Sequence, residues 1–241
     1  MDNMVNESMD TLFMEEYPLN GGIALLIVLP PEGFLQTFAR ISTFVEHPVF
    51  QGEEFSLREL QEYWMEHQGR PFEEDIFGCN FSSRDLERYV ESNGEDLSQG
   101  ERWLMEVAGR RSNVYVTALN RNPPHRLQDT EHGLHYATIL KHEMSHALYW
   151  MDPAYRSLIN DCWNSVGSQR REEIYQLYAY YYASHRIVDE WSAHIVSSYE
   201  LQQVLDISDE HYLGLKRYFW ERIHRPRFES MLQKMARSMQ I

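Results

Sequence analysis

The sequence predicts an α+β protein that is mainly helical and contains a small sheet. Two short apolar runs rich in β-branched residues, 23–29 and 113–119, are typical of buried strands. Most of the remaining chain has apolar residues at the spacing of amphipathic helices. The composition, with 43% hydrophobic and 24% charged residues, is that of a globular protein, and 241 residues suit one domain with a sizeable core.

The first half of the chain, residues 1–110, is expected to form a scaffold and to contribute to a substrate wall. Its strand ends at Pro30, and the helix that follows should end before Pro48, because a residue preceding proline disfavours helical backbone. Ser56 and Ser98 are each followed three positions later by glutamate, the capping-box pattern that opens a helix. The predicted helices are 32–46, 56–67, 82–91 and 98–108, with a loop at 75–81.

The second half, residues 111–241, carries the motifs with chemical meaning and is expected to be the catalytic half of the same domain. Asp152 followed by Pro153 predicts a helix start, since aspartate is a good N-cap and proline fits the first helical position. After the strand at 113–119, the predicted helices are 131–150, 152–166, 168–184, 187–205, 208–223 and 227–239.

Charge and cysteine content limit the partners and the compartment. The net charge of −15 argues against a nucleic-acid partner, because a polyanion would be repelled. The N-terminal residues 1–16 lack a basic region, so a signal peptide is not expected, and the apolar run 23–29 is too short to cross a bilayer. We therefore expect a cytoplasmic protein without a membrane partner, in which Cys79 and Cys162 are unpaired buried thiols.

The segment His142-Glu143-Met144-Ser145-His146 spells H-E-x-x-H inside the predicted helix 131–150. Residues four apart lie on one helical face, so His142 and His146 can direct two imidazoles to one point. Two imidazoles and a water are most of a catalytic zinc site, and a neighbouring carboxylate such as Glu143 can take the proton of that water. A chance match is the alternative in a chain with 11 histidines, but the helical context favours a zinc site.

A catalytic zinc site needs a third protein ligand, and the candidate lies in Val188-Asp189-Glu190-Trp191-Ser192-Ala193-His194. With Glu190-Trp191-Ser192-Ala193 as an E-x-x-A element on a later helix, residues 110–205 resemble the gluzincin class of zinc metallopeptidases. The gap of 44 positions (190 − 146) from His146 to Glu190 is similar to the spacing of the anthrax lethal factor and clostridial neurotoxin types.

This resemblance implies a zincin-like core in which His142, His146 and Glu190 hold zinc and Glu143 is the general base. It also implies that the strand 113–119 is the substrate-binding edge strand. The reaction would be hydrolysis of a peptide or protein substrate, with a small amide or ester left open.

The resemblance further implies an oxyanion donor a few positions before Glu190. Tyr181, Tyr182 and His185 occupy that region, and Tyr182 is favoured, with core packing as the alternative for each tyrosine. His194, one turn after Glu190, is a candidate oxyanion donor or a hydrogen-bond partner of the site, or an ordinary core histidine. Asp189 is expected to support a ligating histidine. His135 is too far along its helix to reach the same zinc and is expected on the cleft wall.

Two functions of other classes remain open. A carboxylate-bridged di-iron protein would use two Glu-x-x-His pairs, Glu143/His146 and Glu221/His224, together with Glu173 and Glu190. A non-catalytic zincin-like protein would bind a partner without cleaving it, but the intact Glu143 favours catalysis.

Overall fold

The small sheet lies at the centre of the fold. The computed structural model describes residues 11–94, 96–109, 111, 113–121, 132–197 and 209–239. Its strands lie in the order β1-β2-β4-β3, where β2 runs parallel to β4 and the other neighbours are antiparallel. Gly21, with φ at +102°, forms the tight turn between the first two strands. The strands are β1 (Phe13–Leu19), β2 (Gly22–Leu29), β3 (Gly78–Ser82) and β4 (Val114–Asn120).

Helices cover both faces of this sheet. Serine capping boxes at Ser56, Ser82 and Ser98 open three helices, and the Asp152 carboxylate accepts from two backbone N–H groups at the start of a fourth. The helices are α1 (Pro31–Glu46), α2 (Leu57–Gln68), α3 (Ser83–Asn93), α4 (Gln99–Ala108), α5 (His132–Met151), α6 (Pro153–Ser165), α7 (Ser168–Tyr178), α8 (Ile187–Ser197), α9 (Asp209–Ile223) and α10 (Arg225–Met239).

Two hydrophobic cores lie on opposite faces of the sheet. Successive strand residues point to opposite faces, so Leu25 and Ile27 of β2 pack against α1–α4, whereas Leu26 and Val28 pack against the helices from α5 onward. The first-half helices, the sheet and the second-half helices therefore form three layers. Helix α5 packs directly on the sheet, against β3 and β4.

The predicted fold class is confirmed at the level of a mainly helical α+β protein with a small sheet. The strands at 23–29 and 113–119, the capping boxes and the Asp152 cap are also confirmed, and both cysteines are free and buried. Among the described residues, none of the helices combines the length and apolar character needed to cross a membrane.

Several predicted boundaries were wrong. Residues 75–81 are not wholly a loop, because Gly78–Ser82 pairs with β4 as an edge strand, and the acidic segment Phe13–Leu19 forms β1 against β2. The helix predicted over 168–184 ends at Tyr178, because Ala183 has extended backbone and donates its N–H to the Glu46 carbonyl at the end of α1. Residues 198–205 of the helix predicted at 187–205 lie outside the described residues.

The assignment of the strand 113–119 as an edge strand was also wrong. β4 lies between β2 and β3, and all of its residues are buried. The edge strand that packs against the H-E-x-x-H helix is β3, most of which lies within the predicted loop at 75–81.

Candidate metal centre

Two packed helices place the predicted ligands opposite each other. Leu140, Met144 and Leu148 of α5 lie in the same core as Trp191 and Ile195 of α8. This packing fixes the rotation of both helices about their axes. His142 and His146 consequently lie on the face of α5 that meets Glu190 of α8.

The three side chains converge on one point. His142 Nε2 lies 3.1 Å from His146 Nε2, and these two nitrogens lie 3.5 and 3.4 Å from the Glu190 carboxylate oxygens. One candidate ligand atom from each residue lies within 4.8 Å of the others. The three residues thus form a group that could hold a metal ion. His146 and Glu190 are buried, whereas His142 is partly exposed toward the cavity described below.

These distances fit a small tetrahedral cation. Zinc–nitrogen bonds of about 2.0–2.1 Å place neighbouring ligand atoms of a tetrahedral site about 3.3 Å apart. The buried Glu190 Oε2 has no hydrogen-bond partner among the described residues, and a buried carboxylate oxygen needs a donor or a cation. The two imidazoles and the carboxylate are also the donor types that zinc prefers. The residues present therefore fit a zinc ion.

A second layer of side chains holds His146. Asp189 Oδ1 lies 2.8 Å from His146 Nδ1, which favours the tautomer that leaves Nε2 with a free lone pair toward the site. The other Asp189 oxygen accepts hydrogen bonds from Trp150 Nε1 at 2.9 Å and from the Arg186 guanidinium at 3.3 Å. Asp189 thus lies beside a candidate ligating histidine, as the sequence analysis expects.

The electrostatics of the cluster favour a positive charge at its centre. Burial alone would lower the pKa of His146, but the carboxylates of Asp189 and Glu190 raise it strongly. Burial opposes ionisation of Glu190, yet His146 and His142 hold the pKa of its carboxyl well below the ordinary value. Two neighbouring carboxylates, in a buried place, therefore stabilise a cation at the point where the ligand atoms meet.

Glu143 lies beside this cluster and is held by the edge strand. Asn80 of β3 donates a 2.8 Å hydrogen bond to Glu143 Oε2, and the Tyr115 hydroxyl of β4 donates to Asn80 Oδ1. A Cβ atom on Gly78 would lie 2.4 Å from Glu143 Oε1, so the absence of a side chain at Gly78 makes room for the carboxylate. Burial raises the pKa of Glu143, against the lowering effect of His142.

A cavity of about 660 Å³ opens onto the cluster. Its walls come from both halves of the chain, and about half of the residues that line it beyond the cluster are aromatic or aliphatic, whereas most of the others are polar or charged. His142, Glu143 and His194 are among its lining residues, and the apolar lining includes Trp64, Phe72, Ile76, Phe77, Ile139 and Leu177. Such a cavity suits an extended or aromatic organic ligand with a polar group at the cluster.

Three of the four candidate oxyanion donors line this cavity. Tyr182, Tyr181 and His194 line it, and the His194 ring centroid lies 4.6 Å from that of His142. His185 lies outside the lining of this cavity and contacts Gln51 instead. The side chain of His135 lies outside the described residues.

Three residues of the site were missed by the sequence analysis. Tyr178 is buried, lines the cavity, and has its ring centroid 5.6 Å from that of His194. Burial and the Glu190 charge raise the pKa of its hydroxyl, so it stays a hydrogen-bond donor at neutral pH. Asn80 and Gly78 lay in the predicted loop, and no motif marks them.

The ligand set of a di-iron centre is not brought together. Glu221 and His224 are exposed at the end of α9, and Glu173 is exposed on α7 beside Arg170. None of the three belongs to the cluster of His142, His146 and Glu190 that the described residues form. The described residues therefore do not bring these side chains together as the di-iron alternative requires.

Comparison of the chain with models of known families, with curated proteins and with solved structures found no match.

Proposed function

We propose that this protein is a zinc-dependent hydrolase of the gluzincin type that cleaves peptide or amide bonds. The observation that carries the proposal is the convergence of His142, His146 and Glu190 at ligand distances, with the buried Glu143 carboxylate beside them in the lining of a cavity. His142, His146 and Glu190 would hold the metal. A bound zinc ion would supply a Lewis acid that polarises a carbonyl and acidifies a water.

Glu143 is assigned the role of general base. Its carboxylate is not one of the three converging ligands, and its raised pKa makes it a better proton acceptor than an exposed glutamate. The hydrogen bond from Asn80 fixes one carboxylate oxygen and leaves the other for the water. After bond cleavage, the same carboxyl can return the proton to the leaving amine.

The charge that develops on the substrate carbonyl oxygen needs a donor from the protein. Tyr182 and Tyr178 both carry hydroxyls on the cavity wall, and His194 lies beside His142. Burial lowers the pKa of His194 to about 3, so its ring is neutral at pH 7 and offers a single N–H. We assign the donor to this group of three and favour Tyr182, in line with the resemblance to gluzincins. The apolar walls suit a substrate with large hydrophobic side chains.

The central experiment measures metal content and hydrolysis together. The purified protein should hold about one zinc per chain and should cleave members of a peptide library. Glu143→Gln should keep zinc and lose at least about a hundredfold in hydrolysis, the scale of one general base. Glu101→Gln is the matched control, because Glu101 is buried on α4 and bonds to Tyr89. It should keep both zinc and activity.

The ligand assignment is tested by affinity. His142→Ala combined with His146→Ala should empty the site, and Glu190→Ala should weaken zinc binding greatly with little loss of helix. Asp189→Ala and His194→Ala should have smaller effects. A wild-type protein that binds no transition metal overturns the proposal, and one that binds zinc but cleaves no peptide or small amide points to the non-catalytic alternative.

A further inference from the structure

A second cavity, of about 620 Å³, lies where α3 and β4 begin and α5 ends. Its lining includes three arginines, Arg84, Arg88 and Arg156, as well as Ser83 and His185. Of the described residues that line it, Asp85 is the only acid. Three guanidinium groups against one carboxylate give a local charge of +2, in a chain whose net charge is −15.

The charge of Asp85 is already shared among several partners. One of its oxygens lies 3.7 Å from Arg88, and the other lies 4.0 Å from the buried Arg186 and accepts from the Ser82 cap. Arg84 and Arg156 form no side-chain hydrogen bond or ion pair with any residue that the structure describes. The cavity thus contains two guanidinium groups whose donors are not used by described protein groups.

We propose that this cavity binds a small anion that carries phosphate or carboxylate groups. Guanidinium groups bind both kinds of oxyanion with two parallel hydrogen bonds, and Arg84 and Arg156 can approach such a group from α3 and α6. The positive end of the α3 dipole adds to their field, because Ser82, Ser83 and Arg84 at its first turn also line the cavity. The hydroxyl of Ser83 and the amide of Asn113 supply further polar contacts.

The size and the wider charge select a small ligand over a polymer. A volume of about 620 Å³ holds a molecule the size of a metabolite. A nucleic acid or a polyanionic surface would meet the excess of acidic residues outside the cavity, 37 against 22 basic residues in the whole chain. Trp150 and Tyr115 also line this cavity. Trp150 donates a hydrogen bond to Asp189 and Tyr115 donates one to Asn80, so these two side chains connect the cavity with the metal centre.

The test is the thermal stability of the full-length protein in the presence of inorganic phosphate, with chloride at matched ionic strength as the reference. A ligand that binds only the folded state raises the midpoint temperature as its concentration increases. Phosphate should do so in the wild type, and the affinity should fall at least about tenfold in Arg84→Gln and in Arg156→Gln, the scale of one charged hydrogen bond. A phosphate monoester and succinate, tested in parallel, decide between phosphate and carboxylate ligands.

Two controls distinguish binding in this cavity from binding at the metal centre and from nonspecific charge effects. His142→Ala with His146→Ala removes the proposed zinc site, and the phosphate response should persist in that variant. Arg217→Gln removes an exposed arginine of α9 outside the cavity lining and should leave the response unchanged. Equal effects of phosphate, succinate and chloride, or an unaltered phosphate response in the double variant Arg84→Gln/Arg156→Gln, would overturn the proposal.

Discussion

Asn80 donates a 2.8 Å hydrogen bond to Glu143, across the junction between the edge strand β3 and the helix α5. The Tyr115 hydroxyl donates to the carbonyl oxygen of the same amide, so the amide NH₂ group must face Glu143. All three side chains are buried. Under the proposed function, Asn80 would therefore be a positioning residue, which acts through the orientation of Glu143.

Replacing Asn80 by alanine should lower kcat and leave zinc bound. The loss of a hydrogen bond to a charged group costs about 1.5–3 kcal/mol, which corresponds to roughly a ten- to hundredfold decrease if Glu143 becomes misplaced. KM should change little, because Asn80 does not line the cavity. Steady-state kinetics on a cleaved peptide, with zinc measured in the same sample, test this.

Asn93→Ala is the matched control for Asn80→Ala. Asn93 is equally buried, on α3, where it accepts from Arg40 and donates to the Tyr89 carbonyl. It should reduce stability by a similar amount, about 1–3 kcal/mol, without changing kcat of the folded protein. Equal losses of kcat in the two variants would assign Asn80 a merely structural role.

Replacing Gly78 by alanine should displace the general base. The new Cβ atom would lie 2.4 Å from Glu143 Oε1 and 3.0 Å from its Cδ, so the carboxylate must move. Activity should fall about tenfold or more while zinc content is retained, because misplacement of a catalytic group by a fraction of an ångström is costly. Gly167→Ala, at a position with no atom within 4 Å of the added Cβ, should keep full activity. Full activity of Gly78→Ala would contradict the proposed position of Glu143.

The main helices could be predicted from the sequence because local signals agree there. The helix of His142 and His146 has regular apolar spacing, and α2, α4 and α6 begin with the capping residues that the sequence predicts. The same regular spacing placed Glu190 on a following helix. These short-range properties placed the three candidate ligands on helices, whereas the choice of Glu190 as the third ligand came from the resemblance to gluzincins.

The residues around the ligands could not be predicted because long-range contacts place them. Gly78-Cys79-Asn80-Phe81 has little β-propensity, and it forms a strand because it pairs with β4. Tyr178 lies at the end of α7, and the chain beyond it is held by the hydrogen bond from Ala183 to the Glu46 carbonyl. Both contacts join parts of the chain that are far apart in sequence, and no periodicity records them.

Replacing Asp189 by asparagine should weaken zinc binding by about ten- to hundredfold, the usual effect of a partner of a ligating histidine. Asparagine keeps the shape but removes the negative charge 2.8 Å from His146 Nδ1. Competition with a metal-sensitive dye measures the affinity. Asp152→Asn is the matched control, because Asp152 is also fully buried but caps α6 and pairs with Arg222. An equal effect of both substitutions on zinc affinity would remove Asp189 from the site.

The last prediction concerns acid sensitivity at His47, at the end of α1. Its ring packs against Phe50, Tyr63 and Trp64, and its Nδ1 accepts the backbone N–H of Val49 at 3.3 Å, which requires an unprotonated nitrogen. Burial, followed by the nearby His67, lowers the pKa of His47 from 6.5 to about 4. Below pH 6.5 the unfolded chain therefore binds this proton more readily than the folded protein does.

The stability that depends on neutral His47 is complete above pH 6.5 and is lost as the pH falls toward 4. The difference in pKa corresponds to about 3 kcal/mol in total, of which about 2 kcal/mol is lost at pH 5. Denaturant unfolding of His47→Asn should therefore show a flatter dependence on pH between 7.5 and 5 than the wild type, although the variant is less stable at pH 7.5. Exposed His67→Asn, which leaves the ring of His47 in place, should retain most of the wild-type slope. Because wild type and His47→Asn share the other titrating groups and the proposed metal site, parallel curves for these two proteins would show that His47 is not the source of the acid sensitivity.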